Sequence, residues 1–396
     1  MTEDEHANLS GRLFYFLLFT GVLINATGLF NPVLEPDSAL YATIAKRMAL
    51  ANDWMNLYGD GGDWLDKPHF PFWMAAISFK LFGISAFSYK LASFIFWLIS
   101  IRFTYLLTRS LYSTNIARHT VLIYITALHA VIANFDVRAE PFLTGCITVS
   151  IYYIFKMQQQ NKIHYLLPAA LFAACAVMTK GIFFLSGIGG GFIFYWILNK
   201  EWKQFVHYRW WLLVLLTFIF ILPELYALYV QFDMHPEKIV FGQTNVSGIK
   251  FFFWDSQFGR FFNTGPIKGS GDPSFFIHTF LWAFLPWSPL FIVAVVQLCR
   301  RKIFFKKEHS IIYGSAAILF LLFSFSRFQL PHYIVILFPQ FAMITASYTY
   351  SCIKNKKAVS KIISLQTILV ILAAVFCISL TAFCGFANSA IPIVLI

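Results

Sequence analysis

The chain has 396 residues, 59% of them hydrophobic and only 12% charged, and its mean hydropathy is +0.68. A soluble domain is closer to about one-half apolar and one-quarter charged, so this composition excludes ordinary soluble folds and indicates a polytopic membrane protein. The net charge of +12 lies in short clusters between apolar runs, without the long basic stripe of a nucleic-acid partner.

The apolar runs predict an all-α bundle of about eleven transmembrane helices, forming one domain over residues 1–396. The N-terminus is acidic and leads into the first run without a small-residue cleavage site, so we expect an uncleaved first span. Thr179-Lys180-Gly181 separates the fifth and sixth runs, which favours two spans joined by a tight turn. The predicted spans are 12–30, 87–109, 119–135, 139–156, 164–180, 181–198, 210–230, 275–298, 311–326, 332–350 and 361–386.

Basic residues collect in the loops of one face. If the N-terminus is cytoplasmic, the short loops that follow the even-numbered spans are all basic, as the positive-inside rule requires. The sequence therefore predicts a cytoplasmic N-terminus. These loop residues are Arg102, Arg109, Arg118, Lys156, Lys162, Lys200, Lys203, Arg209, Arg300, Arg301, Lys302, Lys306, Lys307, Lys354, Lys356, Lys357 and Lys361.

The opposite, outer face has two long loops, residues 31–86 and 231–274, which hold most of the carboxylates. A transporter more often places its ionisable residues at mid-membrane in two related halves, and no such repeat is visible here. Charge gathered at one membrane surface favours chemistry at that surface. The carboxylates are Glu35, Asp37, Asp53, Asp60, Asp63, Asp66, Asp233, Glu237, Asp255 and Asp272.

The first outer loop carries two predicted short helices. From Ser38 to about Leu50, apolar residues recur at four-residue spacing, which predicts an amphipathic helix on the membrane surface. Asp37 stands at its start, either as an N-cap or as a functional acid, and Tyr41 lies one turn later on the same face.

A second short helix is predicted from Pro68, directly after Asp66-Lys67. Lys67 would then lie near the positive end of a helix dipole, which is a suitable place for a phosphate group. The alternative is that Asp66 and Lys67 are solvated flanking charges.

The order of these residues resembles the first outer loop of the polyprenol-phosphate-sugar-dependent glycosyltransferases, which include the lipid A aminoarabinose transferases and the protein O-mannosyltransferases. Later fragments resemble other motifs of this family in the same order. The matching residues are Asp37, Tyr41, Arg47-Met48, Asp53-Trp54, Asp66-Lys67-Pro68, Trp73, Val137-Arg138-Ala139-Glu140, Met178-Thr179-Lys180-Gly181, Gly259-Arg260-Phe261, Leu285-Pro286-Trp287 and Ser326 to Tyr333 with Pro339.

The resemblance implies a GT-C fold and a sugar donor on a polyprenyl monophosphate. It implies that Asp37 is the general base, with Glu140 as a second catalytic acid, and that the sugar is transferred with inversion. Lys67, Lys180, Arg260 and Arg327 would stabilise the leaving phosphate. The remaining substrate-binding candidates are Tyr41, Asp66, Asp136, Arg138 and His332.

The implied location is the bacterial inner membrane, with the site on the periplasmic side. The acceptor would be lipid A or lipopolysaccharide, a polysaccharide or a protein, and the partners would otherwise be membrane lipids. No cofactor is expected, and the six cysteines show no metal-site spacing.

The chain also departs from the family pattern at positions that bear on which acceptor it uses. Ser38 follows the first Asp where Glu is common, His69 replaces the second Pro of Lys-Pro-Pro, and Gln329 replaces a late Lys. Three alternatives stay open: an interfacial pairing of Asp136 and Glu140 with Arg138, a transporter or flippase of lipid-linked sugars, and an oligosaccharide ligase or polymerase.

Overall fold

The computed structural model describes residues 9–136, 138–300, 308–353 and 355–384, and these residues are mainly helical. Some residues named above lie outside this description. They are Val137, the basic residues of 301–307, Lys354 and the end of the last predicted span.

The described residues form seventeen α-helices joined by shorter 3₁₀ and π segments. The 3₁₀ segments are Gly28–Phe30, Ile163–Tyr165, Trp202–Val206 and Pro331–Leu337, and the π segments are Tyr229–Asp233 and Phe251–Gly259. The helices are α1 (Gly11–Thr27), α2 (Pro36–Ala51), α3 (Phe70–Phe82), α4 (Ala86–Leu111), α5 (Thr114–Thr126), α6 (Leu128–Phe135), α7 (Glu140–Gln160), α8 (Leu166–Lys180), α9 (Phe184–Leu198), α10 (Tyr208–Leu228), α11 (Gly248–Lys250), α12 (Arg260–Phe262), α13 (Phe275–Ala283), α14 (Ser288–Arg300), α15 (His309–Phe325), α16 (Phe338–Cys352) and α17 (Lys356–Cys384).

Six of the described helical stretches are long and apolar enough to cross a membrane, and the bent pair α5–α6 makes a seventh. Helices α3, α9, α14 and α15 are apolar but shorter, so the predicted number of eleven spans stays a prediction. Every predicted span overlaps helix in the described part of the chain, but the predicted span 275–298 is two helices, α13 and α14, with a turn between them. The chain is a multi-pass membrane protein. The six long stretches are Gly11–Phe30, Ala86–Leu111, Ile163–Lys180, Tyr208–Asp233, Pro331–Cys352 and Lys356–Phe376.

The predicted third span, 119–135, is two helices, α5 and α6, that meet at an angle of 56°. Ala127 has an extended backbone at the break, so the carbonyls of the last α5 turn lose helical partners. Asn25 of α1 donates to the carbonyl of Ile125 (3.2 Å), and its own oxygen accepts from Asn134 (2.8 Å). The first bond satisfies one freed backbone carbonyl, as an apolar surrounding requires, and the second holds the Asn25 side chain in place.

The outer surfaces of the helices are apolar, as lipid contact requires. On α1, the side chains of Tyr15, Phe16 and Phe19 are exposed. None of the apolar stretch Lys356–Phe376 in α17 is buried inside the protein. A helix that is apolar on all sides and unburied is stable where lipid covers it.

The segment 31–86 contains α2, then a β-hairpin with two residues in each strand, and then α3. The amphipathic helix is confirmed: Ile44 and Met48 are buried while Lys46 and Arg47 are exposed. Two details of the prediction are wrong. Glu35 occupies the N-cap, so Asp37 lies inside the first turn of α2, and α3 begins at Phe70 rather than at Pro68, with Pro71 in its first turn.

One end of the bundle, here called the site end, collects α2, the hairpin β1 (Tyr58–Gly59) and β2 (Gly62–Asp63), the start of α7, the end of α8 and the segment Pro331–Leu337. The predicted loop 231–274 also lies there, and its residues 248–262 form one continuous helical stretch of α11, a π segment and α12. Most of the predicted site residues belong to these elements.

Candidate active site

Arg138 is the centre of the first ionic group at the site end. Its guanidinium donates from Nη2 to Glu35 and from Nη1 to Asp37 Oδ2 (3.3 Å). The same Nη1 lies 3.1 Å from Nδ1 of His332. Because an arginine only donates, the nearer ring nitrogen of His332, Nδ1, is the acceptor in this contact. Arg138 therefore ties the first turn of α2 to the segment that precedes α16.

Glu140 and Lys180 form a second ion pair next to the first. Their side chains are in direct contact, and Nε2 of His332 lies 3.6 Å from Glu140 Oε1. The Nζ of Lys180 also lies 3.4 Å from the centroid of the Tyr333 ring, a distance typical of a cation–π contact. His332 thus stands between the Arg138 pair and the Glu140–Lys180 pair.

The backbone after Lys180 explains the Thr-Lys-Gly turn. Gly181 has a φ of +112°, and Gln257 Nε2 donates to the carbonyl of Lys180 (3.1 Å). A Cβ at Gly181 would lie 1.9 Å from that nitrogen, so only glycine fits there. The turn ends α8 and leaves the Lys180 side chain at the site end.

Asp66, Lys67 and Arg260 form a third group. Lys67 Nζ lies 2.7 Å from Asp66 Oδ2, and Arg260 contacts the other carboxylate oxygen. Burial opposes ionisation of Asp66, but the charges of Lys67 and Arg260 lower its pKa to about 2. Burial lowers the pKa of Lys67, and the Asp66 carboxylate partly offsets this effect. One carboxylate therefore holds two cations side by side.

A cleft of about 550 Å³, here called the polar cleft, lies between these three groups. Burial, followed by the charges of Asp66, Asp37 and Glu140, raises the pKa of Tyr41 well above its ordinary value, so its hydroxyl stays neutral. The cleft is lined by Asp37, Tyr41, Trp64, Asp66, Lys67, Arg138, Ala139, Glu140, Lys180, Phe328, Leu330, His332 and Tyr333.

A second cleft of about 510 Å³ shares Lys180, Phe328 and Tyr333 with the first and is here called the aromatic cleft. Its other walls are mainly phenylalanine and leucine, with Arg260 at the polar side. A charged cleft that continues into an apolar one suits a lipid whose head group is anionic. The remaining lining residues are Phe183, Phe184, Ser256, Gln257, Phe261, Leu322, Phe323 and Ser326.

Nine of the eleven predicted site residues line these clefts, and Arg327 and Asp136 do not. Arg327 is exposed, and its guanidinium reaches the carbonyl of Gly271 at 3.5 Å. Burial raises the pKa of Asp136, whose nearest groups are Ser38 and Lys90. Within the described ranges, no three His, Cys, Asp or Glu side chains form a group that could hold a metal ion.

Three polar features of the site end were not predicted. Glu35 shares Arg138 with Asp37, and Tyr333 packs under Lys180. The third is a fully buried pair, His69 and Glu224 of α10. Glu224 accepts from the backbone N–H of His69 (3.0 Å) and lies 3.0 Å from Nδ1, while Nε2 lies 3.1 Å from the Met55 carbonyl.

The His69–Glu224 pair fixes the chain directly after Lys67. Each ring nitrogen of His69 faces an oxygen atom, Nδ1 that of Glu224 and Nε2 that of Met55, so the ring is held from both sides. The departure at His69 from the family pattern was a usable signal in the sequence. Its partner was not, because Glu224 is 155 residues away.

The chain is similar to several known proteins. A family described as dolichyl-phosphate-mannose-protein mannosyltransferase matches residues 66–226. An uncharacterized protein of Aquifex aeolicus is 26% identical over 349 residues, which cover 86% of this chain and 64% of that protein. An undecaprenyl phosphate-alpha-4-amino-4-deoxy-L-arabinose arabinosyl transferase of Pseudomonas aeruginosa is 25% identical over 82% of this chain and 56% of its own length.

The fold matches a solved structure. The crystal structure of ArnT from Cupriavidus metallidurans bound to undecaprenyl phosphate superposes with a TM-score of 0.79 at 19% identity, covering 94% of this chain and 66% of ArnT. The apo structure of the same protein gives a TM-score of 0.72. The chain spans less than two thirds of the length of these relatives.

Proposed function

We propose that this chain is a GT-C glycosyltransferase related to the aminoarabinose transferases and that it moves a sugar from a polyprenyl phosphate to an acceptor of the cell envelope. One observation carries the proposal. A half-exposed carboxylate, Asp37, lines the same cleft as the buried cations Lys67 and Lys180. Base and cations at one cleft are what displacement of a phosphate from an anomeric carbon needs.

Asp37 acts as the general base. It takes the proton of the acceptor group while the acceptor oxygen forms a bond to the anomeric carbon. The bond from that carbon to the phosphate oxygen breaks, and its electron pair stays on the phosphate. Attack opposite the leaving group inverts the sugar carbon. The two carboxylates that pair with Arg138 are about half exposed, so its contact to Asp37 exchanges easily.

The cations stabilise the leaving phosphate. Lys67, Arg260 and Lys180 lie where the polar and aromatic clefts meet, and their positions are set before substrate binds. Preorganised cations in a water-poor site stabilise developing charge more strongly than solvent does. The aromatic cleft would hold the first isoprene units of the donor. Glu140 keeps Lys180 in place, and Tyr41 and His332 contact the substrate.

We further propose that the site end faces the periplasm, the N-terminus lies in the cytoplasm and the described helices work as one transmembrane domain of the inner membrane. The basic loops 156–162, 200–209 and 356–361 lie at the helix ends opposite Glu140 and Lys180, which supports this orientation. A membrane-impermeant maleimide should label Asp60→Cys, but not Lys203→Cys, in intact cells of a cysteine-free variant. The reverse pattern would refute the orientation.

Transfer itself is tested with purified protein and undecaprenyl-phosphate-linked 4-amino-4-deoxy-L-arabinose, a donor chosen because the relatives' name contains it. We expect sugar to appear on lipid A, with lipopolysaccharide, polysaccharide and protein acceptors assayed in parallel. Mass spectrometry of envelope glycolipids with and without the gene product identifies the acceptor in cells. Loss of one sugar mass from lipid A supports the glycolipid acceptor, and an unchanged lipid A rejects it.

The two alternative functions, a flippase and a ligase or polymerase, predict different results in these transfer assays. A flippase would move the lipid-linked sugar across vesicles without transferring it. A ligase or polymerase would use a diphosphate-linked donor in place of the monophosphate. Transfer from the monophosphate donor that depends on Asp37 excludes both.

A further inference from the structure

The hairpin of the first outer segment is held unusually firmly for its size. In the described residues, strand structure is limited to β1 and β2, apart from one isolated bridge. Arg47 of α2 donates to the carbonyls of Tyr58 (3.3 Å) and Gly59 and pairs with Asp60 (3.2 Å). A two-stranded hairpin of this length is not stable alone. The Arg47 contacts therefore fix one side of it.

Residues from the second outer segment fix the other side. Gln231 accepts from the N–H of Leu57 (2.9 Å), donates to the Leu57 carbonyl (2.8 Å) and donates to Asp63 (2.9 Å). Lys238 also pairs with Asp63, at 2.9 Å. Because Gln231 is completely buried, its three bonds place the hairpin in one position.

Trp64, the residue after β2, is the side chain that this arrangement places in the polar cleft. Its backbone N–H donates to the Leu57 carbonyl at 2.8 Å. Its indole packs on Gly59, where a Cβ would lie 3.0 Å from Trp64 Cε3. A side chain at position 59 would displace the indole, so the hairpin sequence and the indole position are linked.

The indole N–H of Trp64 is buried but has no hydrogen-bond partner among the described residues. The two other tryptophans of the same loop do have acceptors: Trp54 donates to Asn52 (3.3 Å) and Trp73 to the carbonyl of Trp54 (2.8 Å). A buried donor without a partner is rare and costs about 1–3 kcal/mol. A buried, unpaired donor on a side chain that lines a cleft points to a ligand that supplies the acceptor.

We infer that Trp64 binds the sugar of the lipid-linked donor, an inference that rests on the proposed function. An indole offers an apolar face for the C–H side of a sugar ring and an N–H for a ring substituent. Trp64 precedes Asp66-Lys67 by only two residues, so it adjoins the position assigned to the phosphate. The sugar rather than the lipid or the phosphate is the part of the donor that it would recognise.

The test compares two probes on purified protein: undecaprenyl phosphate and undecaprenyl-phosphate-linked 4-amino-4-deoxy-L-arabinose. We expect Trp64→Phe, which removes the N–H and one of the two fused rings but keeps an aromatic face, to weaken binding of the sugar-bearing probe by about tenfold. Trp64→Ala should weaken it by more. Binding of undecaprenyl phosphate should stay within about twofold, since Lys67 and Arg260 are untouched.

Trp254→Phe is the matched control, because Trp254 is an exposed tryptophan of the π segment Phe251–Gly259 and lines neither cleft. It should change binding of neither probe. Equal weakening of both probes by Trp64→Phe, or weakening of neither, would overturn the sugar contact. If wild-type protein binds neither probe, the donor class itself is wrong and the proposed function fails instead.

Discussion

The two sides of the polar cleft hold their ion pairs in opposite ways. On the Arg138 side, the Asp37 and Glu35 side chains are 53% and 47% exposed. On the Lys67 side, Asp66, Lys67 and Arg260 are each less than one-fifth exposed. Exposed pairs are weak and exchange their partners, whereas buried cations keep their positions. The comparison suggests that the acceptor enters on the Arg138 side and that the phosphate binds on the Lys67 side.

The largest expected effect tests the exposed side. Asp37→Asn keeps the shape of the side chain but removes the base, so we expect the transfer rate to fall by about 10²–10⁴-fold, with a smaller change in donor KM. Glu35→Gln is the matched control, because Glu35 also pairs with Arg138 and is similarly exposed. It should retain transfer within about tenfold. An Asp37→Asn protein with near wild-type turnover would remove Asp37 from the mechanism.

The next effect tests the buried side. Lys67→Met keeps the length of the side chain and removes its charge, so we expect transfer to fall by about 10²–10³-fold. The affinity for undecaprenyl phosphate, measured by direct binding, should fall with it. Lys46→Met on the exposed face of α2 serves as the control and should alter neither quantity. Unchanged lipid binding in Lys67→Met would place the phosphate elsewhere.

A stability prediction concerns the support behind Lys67. Glu224→Gln leaves the buried His69 ring without its carboxylate, so we expect the free energy of unfolding to fall by about 3–5 kcal/mol. Thermal unfolding in detergent micelles measures the change. The double variant His69→Pro with Glu224→Leu, which removes both partners, should lose less than Glu224→Gln. A greater loss in the double variant would contradict a pairwise contact.

Acid sensitivity should also differ between the two sides. The pKa of Asp66 is lowered to about 2, so its ion pairs stabilise the fold above about pH 4, and this stabilisation is lost as the pH falls towards 2. The free energy of unfolding falls by about 2 kcal/mol over this pH range. Asp66→Asn should remove that part of the acid dependence of thermal unfolding. Asp60→Asn, in an exposed pair, should not, and equal slopes in all three proteins would refute the difference.

The smallest expected effect concerns Arg327. The sequence made Arg260 and Arg327 equal candidates for binding the phosphate. Arg327→Gln should leave transfer within about twofold, because the Arg327 side chain lines neither cleft and contacts only a loop carbonyl in the described structure. Arg260→Gln should reduce transfer by about 10²-fold, because it faces the proposed phosphate position. A tenfold or larger loss in Arg327→Gln would restore Arg327 as a phosphate ligand.

The sequence predicted the helical membrane fold and the residues nearest the cleft, because both are recorded in local patterns. Apolar runs of span length located the helices, and the spacing from Asp37 to Tyr41 and from Asp66 to Pro68 located the first outer segment. The helix starts were less accurate. Pro71 can begin a helical turn as well as Pro68, and nothing in the local pattern distinguishes them.

The pairing of charges could not be predicted, because the partners are far apart in the chain. Arg138 contacts Asp37 across 101 residues and Arg260 contacts Asp66 across 194. Several cations had equally suitable sequence positions, and only folding selects among them. Trp64 shows the same limit. A tryptophan in a loop at the membrane surface suggests an interface anchor, and the sequence does not show that its indole N–H lacks a hydrogen-bond partner.

The buried pair of His69 and Glu224 has a consequence for how the protein is made. During synthesis His69 is in place well before α10, which carries Glu224, enters the membrane. A helix that brings an unpaired carboxyl group into lipid inserts poorly, and a hydrogen-bonding partner that is already in place, here His69, lowers the cost of insertion. We therefore expect the first outer segment to assist insertion of a later helix, so that a defect at His69 shows up as reduced membrane integration as well as lost activity.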